Sequence, residues 1–183
     1  MLRIIGGKYS GVKLVTPKRS NTRPTTDMIR ESIFNLLQSF SFDQPILDLY
    51  AGSGALGIEA FSRFQEEVYL VDRSFEAIQA IKQNLAKLHH DEFFHILKMD
   101  AKKALLKFED QGISFSLIFL DPPYRYQNQN DDVRQIIDLK LVRSGTIFVC
   151  QGDLNLPAGD FPELSLLKSK KYGKTLIYIY QVE

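Results

Sequence analysis

Four consecutive residues, Asp121-Pro122-Pro123-Tyr124, are the strongest candidates for chemistry in this chain. They follow an apolar run over residues 115–120 that is typical of a buried strand, which must end here because neither proline has an N–H to donate. The residue before each proline stays extended, so the directions of the Asp121 carboxylate and the Pro122 carbonyl are fixed. With the face of Tyr124, these acceptors would form a rigid pocket for a planar group that carries an NH₂. We predict that the four residues are catalytic, with a simple Pro-Pro turn as the alternative.

A glycine-rich stretch after the apolar run 46–50 indicates a second binding element. Gly52, Gly54 and Gly57 follow the pattern G-x-G-x-x-G, and Asp72 comes 20 residues after Gly52, at the end of the next apolar run. Glycines let the backbone approach a ligand, and a carboxylate at the end of the second strand accepts hydrogen bonds from ribose hydroxyls. Dinucleotide-binding proteins share this pattern, so it does not by itself choose between a dinucleotide and S-adenosylmethionine.

The charge of the ligand helps to distinguish these candidates. A dinucleotide brings a pyrophosphate to the helix N-terminus, and the Asp48 carboxylate, four residues before Gly52, would repel it. S-adenosylmethionine has no phosphate and carries an ammonium and a sulfonium, so Asp48 favours it. Asp100 follows the third strand, where it could accept from the adenine amino group, cap the next helix, or do both. The predicted cofactor site consists of Asp48, Ala51, Gly52, Ser53, Gly54, Asp72, Arg73, Asp100, Ala101 and Asp121.

Basic charge is concentrated at the N-terminus. Residues 1–30 have a net charge of +6, whereas the rest of the chain has −5. Such a segment is typical of one that contacts a polyanion, with a solvated basic terminus as the alternative. The residues predicted to contact the phosphates of such a polyanion are Lys8, Lys13, Lys18, Arg19 and Arg23.

The composition is that of an ordinary globular protein. With 183 residues, 44% hydrophobic and 25% charged, the chain is expected to form one domain, with room for a small appendage. No apolar run approaches the roughly 18 residues of a membrane helix, and the N-terminus lacks a signal-peptide pattern, so we expect a cytoplasmic protein. The single cysteine, Cys150, excludes an internal disulfide and is expected in the core. The histidines 89, 90 and 95 lack metal-site spacing, so we expect no metal.

Alternating strands and helices must position these residues. Strands are predicted over 46–50, 68–72, 93–97, 115–120 and 146–150. One helix is predicted to follow the glycine loop 51–54 and to end near residue 63, and the others are predicted over 74–88, 101–108 and 129–141. This alternation favours a doubly wound parallel sheet. Before it, runs 2–6 and 12–16 predict a hairpin, and a helix begins near Thr25-Thr26-Asp27 with Met28 on its apolar face and Arg30 on or near its polar face. Runs 163–168 and 174–182, joined by residues 170–173, predict an antiparallel hairpin at the sheet edge.

The motifs together resemble class I S-adenosylmethionine-dependent methyltransferases, and the tetrad resembles that of enzymes acting on amino groups of nucleobases. Residues 3–7 (Arg-Ile-Ile-Gly-Gly) and the pattern from Arg23-Pro24-Thr25-Thr26 to Phe34-Asn35 are similar to the RsmD family, bacterial 16S ribosomal RNA guanine-N2 methyltransferases. The similarity extends from residue 2 to the segment around Tyr172-Gly173.

This resemblance implies a Rossmann-like sheet of seven mostly parallel strands with an antiparallel C-terminal hairpin. It also implies methylation of one guanine in 16S RNA, with the small ribosomal subunit or its assembly intermediate as the substrate. The domains would be a basic N-terminal hairpin extension, residues 1–24, and a methyltransferase domain, residues 25–183. Where the family has an acidic residue near the fifth strand, this chain has Cys150-Gln151-Gly152-Asp153.

Three other functions fit parts of the sequence. A DNA adenine- or cytosine-amino methyltransferase would share the tetrad, but the chain has no room for a separate target-recognition domain. An NAD-dependent oxidoreductase would explain Gly52, Gly54, Gly57 and Asp72, but not the tetrad or the basic N-terminus. A non-enzymatic RNA-binding module would need a broken motif, and the sequence has none.

Overall fold

The computed structural model describes residues 2–17, 27–123, 129–152, 156, 160–173 and 175–183. The helices in this part of the chain are α1 (Asp27–Leu37), α2 (Ala55–Phe64), α3 (Phe75–Leu85), α4 (Ala101–Asp110), α5 (Gln129–Asp138) and a short 3₁₀ helix (Asp91–Phe93). The strands are β1 (Ile46–Asp48), β2 (Val68–Asp72), β3 (Phe94–Lys98), β4 (Leu117–Leu120), β5 (Ile147–Gln151), β6 (Leu164–Tyr172) and β7 (Thr175–Val182).

The seven strands form one sheet in the order β3-β2-β1-β4-β5-β7-β6. β1 to β5 are mutually parallel, and β7 pairs antiparallel with both β5 and β6. The prediction of a mostly parallel, doubly wound sheet with an antiparallel C-terminal hairpin is therefore confirmed. The strand order reverses between β1 and β4, and sheets of this kind bind ligands at such a reversal, beyond the carboxyl ends of the strands.

Each face of the sheet is covered by its own helices. Alternate strand residues point to opposite faces, and Phe119 packs in one hydrophobic cluster while its neighbours Ile118 and Leu120 pack in the other. Helices α1, α2 and α3 cover the first face, and α4 and α5 cover the second. The buried Cys150 belongs to the second cluster, as expected of a core residue.

The N-terminal segment folds back on itself and lies against the first face. Arg3 and Lys13 form an antiparallel bridge, and Ile4 N–H donates to the Val12 carbonyl over 2.9 Å. Ile4 and Leu14 are buried in the same cluster as α1 to α3. The predicted pairing of the two runs is thus present, as a single bridge rather than as two full strands.

Two sequence predictions about elements are wrong. Residues 170–172 were predicted to connect the last two strands, but β6 continues to Tyr172 because Lys170, Lys171 and Tyr172 remain paired with β7. The turn begins only at Gly173, whose φ of 59° is left-handed. In α1, Arg30 was predicted on or near the polar face but is fully buried, and Met28 was predicted on the apolar face but is 69% exposed.

Candidate active site

Three aspartates lie at the carboxyl ends of neighbouring strands. Asp48 ends β1, Asp72 ends β2, and Asp121 follows β4 directly. Because β1 to β4 are parallel and adjacent around the reversal of strand order, these side chains share one edge of the sheet. The sequence predicted all three as site residues, and the fold brings them together.

Asp48 is the most strongly perturbed of these aspartates. It is fully buried, and its Oδ2 accepts a hydrogen bond from Gly57 N–H over 3.0 Å. Its Oδ1 has no hydrogen-bond partner in the part of the chain that the structure describes. Burial raises the pKa of Asp48 to about 7, against the hydrogen bond from Gly57, and the nearby carboxylates of Asp121 and Asp72 add to this rise. Three carboxylates in one site suit a cationic ligand and oppose an anionic one.

The glycine loop has a left-handed backbone at two of its glycines. Gly52 has φ 55° and Gly54 has φ 78°, a region that side chains disfavour. A Cβ at Gly52 would meet no atom of the described chain within 4 Å, so the backbone there borders open space that a ligand can occupy. Gly57 has a different role, because a Cβ there would lie 2.5 Å from Leu70 Cδ2, so glycine is needed for α2 to pack closely on β2.

Asp72 holds the glycine loop to the end of β2. Its Oδ2 accepts from Gly52 N–H and its Oδ1 from Ser74 N–H, each over 2.8 Å. Ala51 N–H donates to the Val71 carbonyl over 2.9 Å, so two contacts fix the loop beside this strand. The predicted contact of Asp72 with a ribose remains a prediction, and each oxygen retains a lone pair for it.

The remaining predicted cofactor residues lie along the same edge. Asp100 caps α4 by accepting from Lys102 N–H over 3.0 Å, and it is exposed, so it can still contact a ligand. Ala101 is buried at the first position of that helix, and Arg73 is exposed directly after β2. The Ser53 carbonyl accepts from Asn84 Nδ2 over 2.9 Å.

The tetrad begins where β4 ends. Asp121 and Pro122 are half-buried, and Pro123 is exposed. The backbone leaves regular strand structure at Asp121, as the paired prolines require. Tyr124, the fourth predicted catalytic residue, lies outside the described residues.

Two hydrogen bonds that were not predicted from the sequence hold the first turn of α5. Tyr50, beside the glycine loop, donates from its hydroxyl to Oδ2 of the fully buried Asp132 on α5 over 2.6 Å. Gln129 Nε2, in the first turn of α5, donates to the Gln151 carbonyl over 2.9 Å. These bonds fix the start of α5 against β1 and β5. The segment that departs from the family pattern, Cys150-Gln151, therefore contacts α5 through its backbone.

Glu59 and Asn84 are buried polar side chains that hold the N-terminal segment, and neither contact was predicted from the sequence. Glu59 on α2 accepts from Ile5 and Gly6 N–H over 2.7 and 2.8 Å. Asn84 on α3 pairs with the backbone of Val15. Both occupy helix positions where the spacing of apolar residues predicts another apolar residue. A polar residue at such a position could have indicated a buried hydrogen bond.

Arg30 also binds the N-terminal segment. Its Nη2 donates to the Arg3 carbonyl over 2.5 Å and to Asp27 Oδ1 over 2.9 Å. The Arg30 guanidinium therefore joins the backbone of the N-terminal segment to the first turn of its own helix. Burial lowers the pKa of Arg30, while the Glu59 and Asp27 carboxylates oppose that shift.

Of the five basic residues predicted to contact RNA phosphates, Lys8 and Lys13 belong to the part of the chain that the structure describes. Lys8 and Lys13 are both exposed on the N-terminal segment, and Lys8 Nζ lies 5.3 Å from the centre of the Tyr9 ring. Lys18, Arg19 and Arg23 lie outside the described residues.

No group of three or more His, Cys, Asp or Glu side chains within the described ranges could hold a metal ion. None of the described helices is long and apolar enough to cross a membrane.

Comparison with known proteins gives a consistent result. The profile of the family described as "Conserved hypothetical protein 95" matches residues 2–181. The Bacillus subtilis protein named "Putative rRNA methyltransferase YlbH" is 37% identical, over 98% of both chains. The Escherichia coli "Ribosomal RNA small subunit methyltransferase D" is 31% identical, over 100% of this chain and 90% of its own. The solved structure of "Putative methyltransferase yhhF from Escherichia coli" superposes with a TM-score of 0.84 and 31% identity, over 100% of this chain and 98% of its own.

The buried Asp48 predicts a specific pH dependence of stability. Its pKa is about 7 when folded and 3.8 in the reference state, so the folded protein binds an extra proton between these values. The free energy of unfolding therefore falls as the pH rises from about 4 to about 7. Above pH 7 the folded protein bears the full cost of the buried charge. We expect Asp48→Asn to stabilise the protein relative to wild type more at pH 8 than at pH 5, by about 2–3 kcal/mol.

Urea unfolding at the two pH values measures this difference. Asp138→Asn, at an exposed position on α5, is the control, and its unfolding free energy should differ from that of wild type by the same amount at both pH values. An equal effect of Asp48→Asn at both pH values would mean that Asp48 stays ionised throughout and that the burial argument is wrong.

Proposed function

The chain belongs to the family described as "Conserved hypothetical protein 95", and we propose that it transfers a methyl group from S-adenosylmethionine to N2 of a guanine in 16S ribosomal RNA. The observation that carries this proposal is the convergence of Asp48, Asp72 and Asp121 at the switch point of the sheet, with the Asp-Pro-Pro turn at the end of β4. The names of the relatives, which include a small-subunit ribosomal RNA methyltransferase, support the RNA substrate.

The charge of the site supports S-adenosylmethionine over a dinucleotide. A pyrophosphate near the N-terminus of α2 would meet the carboxylates of Asp48, Asp72 and Asp121, whereas a sulfonium and an ammonium would be attracted by them. We assign the ribose to Asp72 and the adenine to Asp100, with Arg73 and Ala101 beside them. Ala51, Gly52, Ser53 and Gly54 form the loop against which the cofactor lies.

Catalysis then depends on positioning the acceptor amino group. The sulfonium of the bound cofactor supplies an electrophilic methyl group. Guanine N2 is a weak nucleophile because its lone pair is delocalised into the ring. The Asp121 carboxylate and the Pro122 carbonyl accept its two hydrogens and draw the nitrogen toward tetrahedral geometry, so that the lone pair faces the methyl group. After transfer the nitrogen is cationic, and Asp121 stabilises this charge until the proton leaves to water.

The base must leave its stack to reach this pocket. Single-stranded or flipped bases are commonly held on aromatic rings, and we assign this role to Tyr124, after the rigid Pro122-Pro123 pair. The RNA backbone would contact Lys8 and Lys13, and also Lys18, Arg19 and Arg23 of the same basic segment. The acceptor would be 16S RNA within the small subunit or an assembly intermediate, which also makes the cytoplasm the expected location.

The first test is transfer of labelled methyl from S-adenosylmethionine. Three acceptors are compared: small subunits from cells that lack the protein, naked 16S RNA, and duplex DNA. We expect label in a ribosomal acceptor, recovered as N2-methylguanosine after nucleoside analysis. Label only in DNA would keep the tetrad chemistry and refute the ribosomal substrate.

The tetrad mechanism predicts separate effects on rate and on cofactor binding. Asp121→Ala removes one of the two acceptors for the amino hydrogens and should lower kcat by about 10²–10³-fold. The affinity for S-adenosylhomocysteine, measured by calorimetry, should change by only a few-fold. The exposed Asp138→Ala is the matched control. Comparable losses in both quantities would assign Asp121 to cofactor binding instead.

The RNA contacts predict a change in salt dependence. The double variant Lys8→Gln, Lys13→Gln removes two cations, so the slope of log K against log salt should become shallower by about 1–2. Filter binding of 16S RNA between 50 and roughly 200 mM salt measures the slope. Lys103→Gln, on an exposed position of α4 across the sheet, is the control. An unchanged slope in the double variant would show that these lysines do not contact phosphate.

A further inference from the structure

Asn84 is a fully buried polar residue that joins two parts of the molecule. It lies on α3 and makes three hydrogen bonds, all to backbone groups. Its Oδ1 accepts from Val15 N–H over 2.7 Å, and its Nδ2 donates to the Val15 carbonyl over 3.0 Å. The second hydrogen of Nδ2 goes to the Ser53 carbonyl over 2.9 Å. One amide group therefore holds both the N-terminal segment and the glycine loop.

The orientation of this amide is fixed by its partners. Two of the three bonds end on carbonyl oxygens, which need the NH₂ group, and the third begins at an N–H, which needs the oxygen. The amide is planar, so a movement of the Ser53 carbonyl must either break its bond or turn the group that pairs with Val15. Because Asn84 is fully buried, water cannot replace a lost partner without the structure opening.

The two residues that Asn84 binds, Val15 and Ser53, belong to the segments assigned to RNA and to the cofactor. Ser53 lies between Gly52 and Gly54 in the loop assigned to the cofactor. Val15 follows the exposed Lys13 and lies three residues before Lys18, in the basic segment assigned to RNA. Lys87, one turn beyond Asn84, donates from Nζ to the Lys13 carbonyl over 2.7 Å but has no bond to the loop. Asn84 thus differs from Lys87 in binding both regions.

We propose that Asn84 is a positioning residue that couples the two ligands, so that cofactor at the glycine loop strengthens RNA binding by the N-terminal segment. The inference rests on the proposed function. Coupling between two sites is reciprocal, so RNA should strengthen cofactor binding by the same factor. We expect a factor of about five to ten, near the lower end of the usual range for such coupling.

The ligand test compares RNA affinity with and without S-adenosylhomocysteine. In wild type, 16S RNA should bind about five to ten times more tightly when S-adenosylhomocysteine is present. In Asn84→Ala this ratio should fall to about one, and Asn84→Asp, which keeps the volume but loses both donated bonds, should behave alike. Lys87→Ala should weaken RNA binding but keep the ratio, and the exposed Gln83→Ala should change neither.

Two results would overturn the coupling. One is a wild-type ratio of one although both ligands bind. The other is an Asn84→Ala protein that keeps the wild-type ratio while binding both ligands more weakly, because that pattern indicates a purely structural role.

A second test needs no ligand and separates this inference from the proposed function. Gly52→Ala strains the loop without a clash, because φ is 55° and a Cβ there meets nothing within 4 Å. Hydrogen exchange at the Val15 amide should then become several-fold faster, whereas the Leu14 amide, which donates to the Leu2 carbonyl, should be unchanged. In an Asn84→Ala background, Gly52→Ala should have no further effect on Val15. An unaffected Val15 amide in the Gly52→Ala protein would refute the coupling even if the enzyme methylates RNA.

Discussion

The burial of Asp48 is the constraint on which the site depends. This carboxylate ends the inner strand β1 and accepts a hydrogen bond from the Gly57 N–H of α2, so it joins the sheet to the helix that follows the glycine loop. Its second oxygen is buried without a hydrogen-bond partner within the described chain, next to two further carboxylates. Such an arrangement is costly for the folded protein unless a positive group shares the site. The burial that destabilises the Asp48 carboxylate therefore also favours a cationic ligand at this site.

The N-terminal segment is held by a different principle. Its apolar contacts, chiefly those of the buried Ile4 and Leu14, are supplemented by side chains that bind its backbone from three helices. Arg30, Glu59 and Asn84 belong to α1, α2 and α3 respectively, and each is fully buried. Hydrogen bonds to buried groups are directional, and leaving such a group unpaired is costly. The segment is therefore fixed in one register on the first face of the sheet, close to the glycine loop.

The sequence predicted most of the fold because strand and helix periodicity agreed with the positions of the turns. The carboxyl-end aspartates 48, 72 and 121 followed from that pattern, since parallel strands place their ends at one edge. The polar contacts could not be predicted in this way. Glu59 and Asn84 occupy apolar-face positions, and their partners are backbone groups 31 to 69 residues away. Arg30 was placed on or near the polar face for the same reason, since periodicity does not reveal which charged residue has a buried partner.

Hydrogen bonds from three different elements converge on the glycine loop and on the residue that precedes it. Asp72 holds it from β2, Asn84 holds it from α3, and Tyr50, which precedes it, reaches Asp132 on α5. Helix α5 begins soon after the Asp-Pro-Pro turn, so the Tyr50 bond connects the loop to the chain that leaves the tetrad. A ligand that moves the loop must therefore act against bonds to both faces of the sheet. These bonds therefore link the glycine loop to the helix that holds the N-terminal segment on one face of the sheet and to α5 on the other.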